Sequence, residues 1–145
     1  MVAQGRADGF VEGFTGGFSA GHNKGFTEQE KNQGEHWQPY SHSALEAALL
    51  SGKTVIVEFT ADWCVNCKVF EATVLRSAAI LALLDERGIV SLQADCTREG
   101  EGTELLLRLG PNSVPTLAIF DPADPTRPTV VRGFYTISSL TELLQ

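Results

Sequence analysis

The run Thr54-Val55-Ile56-Val57-Glu58-Phe59-Thr60-Ala61-Asp62-Trp63-Cys64-Val65-Asn66-Cys67-Lys68 decides the fold of this chain. Its first part, Thr54 to Phe59, is apolar almost throughout, the pattern of a central strand covered on both faces. Its second part carries two cysteines, Cys64 and Cys67, and leads into a helical pattern from Lys68 through Leu75. Cys64 then stands at the mouth of a helix and Cys67 lies one turn inside. Residues at i and i+3 share a helix face, and their Cα atoms lie about 5–6 Å apart, within the range a disulfide tolerates.

A helix start has chemical consequences. Its first N–H groups lack intrahelical partners, and the aligned peptide dipoles leave about half a positive charge there. A thiolate at Cys64 is stabilised in that field, which is expected to bring its pKa below the free value of about 8.5. Lys68 adds positive charge nearby. Cys67, deeper in the helix, stays more of a thiol. The asymmetry suits disulfide exchange, with Cys64 attacking and Cys67 resolving the mixed disulfide.

Two bland readings compete. A structural disulfide across so short a loop gains little entropy. A closed zinc site needs four ligands, and the remaining candidates, Cys96, His22, His36 and His42, form no second pair at ligand spacing.

Working outward, Glu58 interrupts the apolar strand. A carboxylate there is costly unless paired or protonated. Either it points to an exposed edge, or it lies beneath the cysteines as a proton acceptor for Cys67, its pKa raised by burial. Glu71, one turn beyond Cys67, can serve similarly or be a solvated helix position. Pro115 stands just before an apolar strand, Thr116 to Phe120. A cis Val114-Pro115 bond turns the chain tightly there, and a trans proline opening the strand is the plain alternative. If this loop faces the cysteines, the backbone of Val114 can pair with an extended substrate segment. Cys96 is read as a packing residue.

The other elements follow from periodicity and punctuation. A helix is expected over Ala44 to Leu50, capped by Ser43, and another over Ala78 to Arg87, stopped by Gly88. A strand runs from Ile89 to Ala94, and a short helix from Thr103 to Leu109 is closed by Gly110. A strand over Thr129 to Arg132 precedes a last helix capped by Ser138 or Ser139. The expected class is α/β: a mixed central sheet of four to five strands with helices on both faces.

The first 36 residues differ. Glycine recurs at Gly5, Gly9, Gly13, Gly17, Gly21 and Gly25, with Phe10, Phe14, Phe18 and Phe26 between or beside them. With few aliphatic residues, this stretch reads as a flexible lead-in or a sticky interaction segment, and residues 37–145 as the folded domain. Over 145 residues, hydrophobic content is 43% and net charge −7. That balance argues against a nucleic-acid partner, which needs clustered Lys and Arg. No apolar run approaches the ~20 residues of a membrane span, and no secretory signal is evident.

At this point the chain resembles the thioredoxin superfamily, through Trp63-Cys64-Val65-Asn66-Cys67-Lys68 and Val114-Pro115 before a later strand. It is most similar to the C-terminal thioredoxin-like domain of the DsbD family. Trp37-Gln38-Pro39-Tyr40-Ser41, Gly52-Lys53, Phe59 to Cys64 and Ala94-Asp95-Cys96-Thr97 carry that likeness, and the Val-Asn dipeptide between the cysteines supports it. The resemblance implies a thioredoxin fold and a protein-disulfide reductase that needs no cofactor. Cys64 would be the attacking thiolate, Cys67 the resolving thiol and Pro115 a cis proline. Glu58 and Glu71 would tune the pair, with Trp63 and Lys68 beside it. Implied partners are disulfide-bearing or thioredoxin-like proteins and a membrane electron-donor domain, met by a monomer. The parent would be periplasmic or membrane-tethered, and a free-standing relative cytoplasmic. The rival functions are a Cu(I) or zinc module on the same sulfurs, and a redox-inert interaction domain.

Overall fold

A computed structural model describes residues 36–145. The glycine- and phenylalanine-rich stretch therefore lies outside the described residues, as does His22. The elements are β1 (Trp37–Pro39), α1 (His42–Leu50), β2 (Val55–Thr60), α2 (Val65–Phe70), α3 (Ala78–Arg87), β3 (Val90–Asp95), α4 (Glu101–Leu109), β4 (Thr116–Phe120), β5 (Thr129–Arg132) and α5 (Ile137–Leu144). A π-helical turn, Glu71–Leu75, continues α2.

The five strands form one mixed sheet in the order β1-β3-β2-β4-β5. β2 is the central strand. It runs parallel to β3, with Val55 opposite Val90 and Thr60 opposite Asp95. It runs antiparallel to β4, with Glu58 opposite Leu117. Every residue of β2 is buried, which explains its near-continuous apolar sequence.

Alternation along β2 divides the interior in two. Val55, Val57 and Phe59 point to a core shared with Leu45 and Ala48 of α1 and Leu105, Leu106 and Leu109 of α4. Ile56 points the other way, to a core with Leu75, with Ile80 and Leu84 of α3 and with Leu140 and Leu144 of α5. Glu58 and Thr60 share the parity of Ile56, so the carboxylate enters the second layer and not an exposed edge.

Three details depart from the sequence reading. β1 is a strand: Trp37 to Pro39 pairs with β3, and the Trp37 indole donates to Leu75 O at 3.1 Å. Three residues are too few to show a period, so pattern reading passes over them. The cap of α1 is Ser41, not Ser43: its Oγ accepts from Ala44 N at 3.0 Å. The last helix is capped by Thr136, with Ser139 completing a reciprocal capping box rather than starting the helix. In both cases a run of adjacent hydroxyl residues offered several equivalent caps, and chain direction chose the earlier one.

The cap assignment has a direct check. Ser41→Ala is expected to lower stability by about 1 kcal/mol in urea denaturation. Ser43→Ala is expected to cost clearly less.

Candidate active site

The C-terminal end of β2 delivers the chain to the cysteines. Ala61 to Trp63 form the connection, and its course is pinned from β3. Cys96 N–H donates to Thr60 O at 2.7 Å, and Asp62 N–H donates to Thr97 Oγ1 at 2.8 Å. Thr97 in turn donates from N and Oγ1 to Asp95, and those bonds hold the Asp95 carboxyl below its usual range. The Ala94-Asp95-Cys96-Thr97 stretch thus fixes the loop that presents the dithiol. Cys96 packs beside the first core layer, and burial pushes its thiol up to about 11, so it is a packing residue of low reactivity.

Cys64 is the N-cap of α2. Its Sγ accepts from Cys67 N–H at 3.1 Å, the position that Ser or Asp oxygen takes in an ordinary cap. Cys64 and Cys67 are joined as a disulfide, with Cα atoms 5.3 Å apart. Cys67 is 0% exposed and Cys64 6%, so the first sulfur is the one nearer to solvent. Trp63 beside it is 67% exposed. Val114 packs against Ala61 and the two cysteines. The bond from Val114 to Pro115 is cis, and Pro115 O accepts from Gly133 N–H at 3.0 Å. Gly133 adopts φ +86°, a left-handed conformation glycine adopts without penalty.

Below this layer lies an acidic pair. Glu58 is 1% exposed, and its Oε1 accepts from Gln93 Nε2 at 2.9 Å. Burial, followed by a proton shared with Glu71, pushes the Glu58 carboxyl up to about 9. Glu71 Oε2 accepts from Thr60 Oγ1 at 2.8 Å, and its Oε1 lies 4.0 Å from Lys68 Nζ. Glu71 is thus partly buried and turned inward. It is not a solvated helix position. Burial raises the Glu58 carboxyl, the direction expected of an acid beneath the cysteines. With its carboxyl at about 9, Glu58 already holds a proton at neutral pH while the cysteines are oxidised.

The site residues named from the sequence, Glu58, Trp63, Cys64, Cys67, Lys68, Glu71, Val114 and Pro115, therefore gather at one end of the sheet. Sequence reasoning missed Thr60, Gln93 and Thr97, which hold the acids and the loop. Parity with Glu58 along β2 was the available signal for Thr60. Among the described residues no cluster of three or more His, Cys, Asp or Glu is arranged to hold a metal ion.

A family model described as thioredoxin-like matches residues 36–122. The chain belongs to the thioredoxin-like family. Among curated proteins, this thioredoxin-like chain is 37% identical over 95 residues to the thiol:disulfide interchange protein DsbD of Ralstonia nicotianae, covering 63% of this chain and 15% of that protein. It is 36% identical over 94 residues to DsbD of Vibrio cholerae, again covering 63% and 15%. The chain thus spans about 15% of the length of these relatives. Among solved structures, the oxidised C-terminal domain of Neisseria meningitidis DsbD aligns with a TM-score of 0.58 and 26% identity, over 73% of this chain and 95% of that one. A thioredoxin from Thermus thermophilus aligns with a TM-score of 0.64 and 25% identity, over 77% and 85%.

The buried acid predicts a pH-dependent stability. The unfolded chain loses the Glu58 proton near 4.5, and the folded chain keeps it to about 9. The folded state therefore binds the extra proton across that window, and stability falls as pH rises through it. Glu58→Gln in the oxidised protein is expected to be more stable at neutral pH, by about 3 kcal/mol at most. The gain should shrink to nothing as the pH falls to about 4.5, in denaturation series across pH.

Proposed function

We propose that this domain is a thiol:disulfide oxidoreductase working in the reducing direction, with a dithiol–disulfide cycle at Cys64 and Cys67. The observation that carries the reading is the cap geometry: Cys64 Sγ sits on the Cys67 amide at the opening of α2, bonded to a sulfur that is wholly buried. Similarity to DsbD supports it.

The cycle balances without a cofactor, because the dithiol carries the two electrons. The Cys64 thiolate attacks a substrate disulfide, forming the Cys64–substrate bond and releasing one substrate thiolate. Cys67 then gives its proton to the Glu58–Glu71 acid pair. The resulting Cys67 thiolate attacks Cys64 Sγ, the mixed disulfide breaks, and the second substrate thiolate leaves. The disulfide seen in this structure is the end state. It returns to the dithiol by exchange with an electron-donor dithiol. In a DsbD-like parent that donor is a membrane domain, and the domain described here acts on the periplasmic side.

The substrate is a protein. Trp63, Val65 and Val69 are exposed around the dithiol, as is Phe134 just beyond Gly133. Phe134 stands edge-on to Phe70, with centroids 5.4 Å apart, which extends the same apolar face. Such a rim is suited to docking a thioredoxin-like or disulfide-bearing partner. The Val114 backbone beside the cis proline can add an extended segment of that partner in strand fashion. The folded domain in this reading spans residues 37–145.

Insulin-disulfide reduction tests this. Cys64→Ser is expected to abolish turnover. Cys67→Ser is expected to accumulate mixed disulfides at Cys64, visible on non-reducing gels and released by dithiothreitol. Undiminished turnover by Cys64→Ser would overturn the reading.

A further inference from the structure

Tyr135 is a polar residue in an apolar place. It follows β5 after Gly133 and Phe134, is 4% exposed, and lies in the second core layer with Ile56, Leu75, Leu117 and Leu140. Its ring packs on Phe70 with centroids 4.8 Å apart and planes tilted by 34°. A Leu, Met or Phe would satisfy those contacts. The hydroxyl adds a buried donor that meets no hydrogen-bond partner among the described residues. A buried unpaired hydroxyl costs roughly 1–3 kcal/mol, so retention of a polar tip here needs a reason.

The reason lies next to it. Leu117, in the Tyr135 cluster, is the cross-strand partner of Glu58, so the phenol and the carboxyl enter the same layer of the sheet. Phe70, on which the ring rests, directly precedes Glu71. Burial, and after it the charges of Glu58 and Glu71, drives the titration of the phenol far upward. The hydroxyl therefore keeps its proton, and toward a carboxylate it serves as donor. Glu58 has the complementary deficiency. Its Oε1 is held by Gln93, while its buried Oε2 has no well-formed bond among the described residues. A phenol and a carboxyl oxygen, each without a partner among the described residues, thus enter the same layer of the sheet. The other groups facing it are Glu71 and Lys68, with Gln93 as the neutral neighbour.

We propose that Tyr135 is a positioning residue for the proton step, its hydroxyl donating to the Glu58–Glu71 pair, directly or across one water, whenever the pair ionises. The proposal rests on the dithiol reading above and adds a third member to its acid machinery. A donor aimed at a carboxylate favours the charged form. Tyr135 thus keeps the pair from becoming too weak an acid to hand its proton back when the cycle reverses. No bond in the redox sequence changes: the hydroxyl keeps its proton throughout, and only the proton affinity of the pair is set.

Tyr135→Phe tests this, because it keeps the ring on Phe70 and deletes only the oxygen. In the oxidised full chain, carboxyl titration followed by infrared or carbon NMR should show the Glu58 midpoint moving upward, by about half a pH unit or more for one lost hydrogen bond. The pH profile of insulin reduction should move the same way, while the profile of the Tyr135→Leu variant, which also lacks the hydroxyl, shifts alike. A purely structural tyrosine predicts a changed melting temperature with both midpoints unmoved, and that result in either folded variant overturns the proposal. The carboxyl titration needs no turnover. An inactive parent chain would therefore refute the oxidoreductase reading and leave the Tyr135 test standing.

Discussion

One hydrogen bond organises the chemistry: the Cys67 amide donating to Cys64 Sγ. It makes the first sulfur the cap of α2, so the helix cannot begin without placing that sulfur where backbone N–H groups converge. It also sets the two cysteines apart. One faces the exposed rim of Trp63 and Val65, and the other is sealed inside. A nucleophile and a resolving group are thereby distinguished by backbone geometry before any side chain tunes them. Much of the local structure serves that placement. The all-buried β2 aims the chain at the site, Thr97 clamps the connecting loop, and Val114 packs against the two cysteines from the loop before β4.

The second organising feature is a tension in the core. β2 carries a carboxyl into a layer otherwise built from Ile56, Leu75, Ile80 and Leu117. That burial destabilises the fold at neutral pH, since Glu58 must be kept protonated. Gln93 and Lys68 moderate the cost without removing it, while Glu71 adds to it. A purely structural core would hold an aliphatic residue at this position. The arrangement makes sense if the domain needs a proton store beside a thiol that must lose and regain its hydrogen. The helix opening favours the Cys64 thiolate, while burial disfavours an anion at Cys67. The balance of these two influences sets the redox behaviour.

Much of this was legible in the sequence, for identifiable reasons. Strongly periodic segments, β4, β5 and α3, appear with the boundaries expected from pattern. The cysteine spacing located the helix start, and the lone Glu58 in an apolar run marked the buried acid. What failed did so where local signals were degenerate. Ser41 and Ser43 are equally good caps from composition, and only the path out of β1 decides between them. Three residues of β1 carry no period. The π turn at Glu71–Leu75 leaves no mark in a helical pattern, yet it belongs to the stretch that turns Glu71 inward. Nothing in the spacing around Tyr135 marks it, an aromatic just past a strand end. Its closeness to Glu58 comes from β4 lying between β2 and β5, a relation of topology and not of spacing.

The most direct test of the central claim is a competition between the two sulfurs. Fully reduced protein is treated with limiting iodoacetamide across the neutral pH range, and the labelled cysteine is identified by mass spectrometry. Cap geometry and burial predict that Cys64 is modified well ahead of Cys67 throughout. Equal labelling, or Cys67 reacting first, would contradict the account.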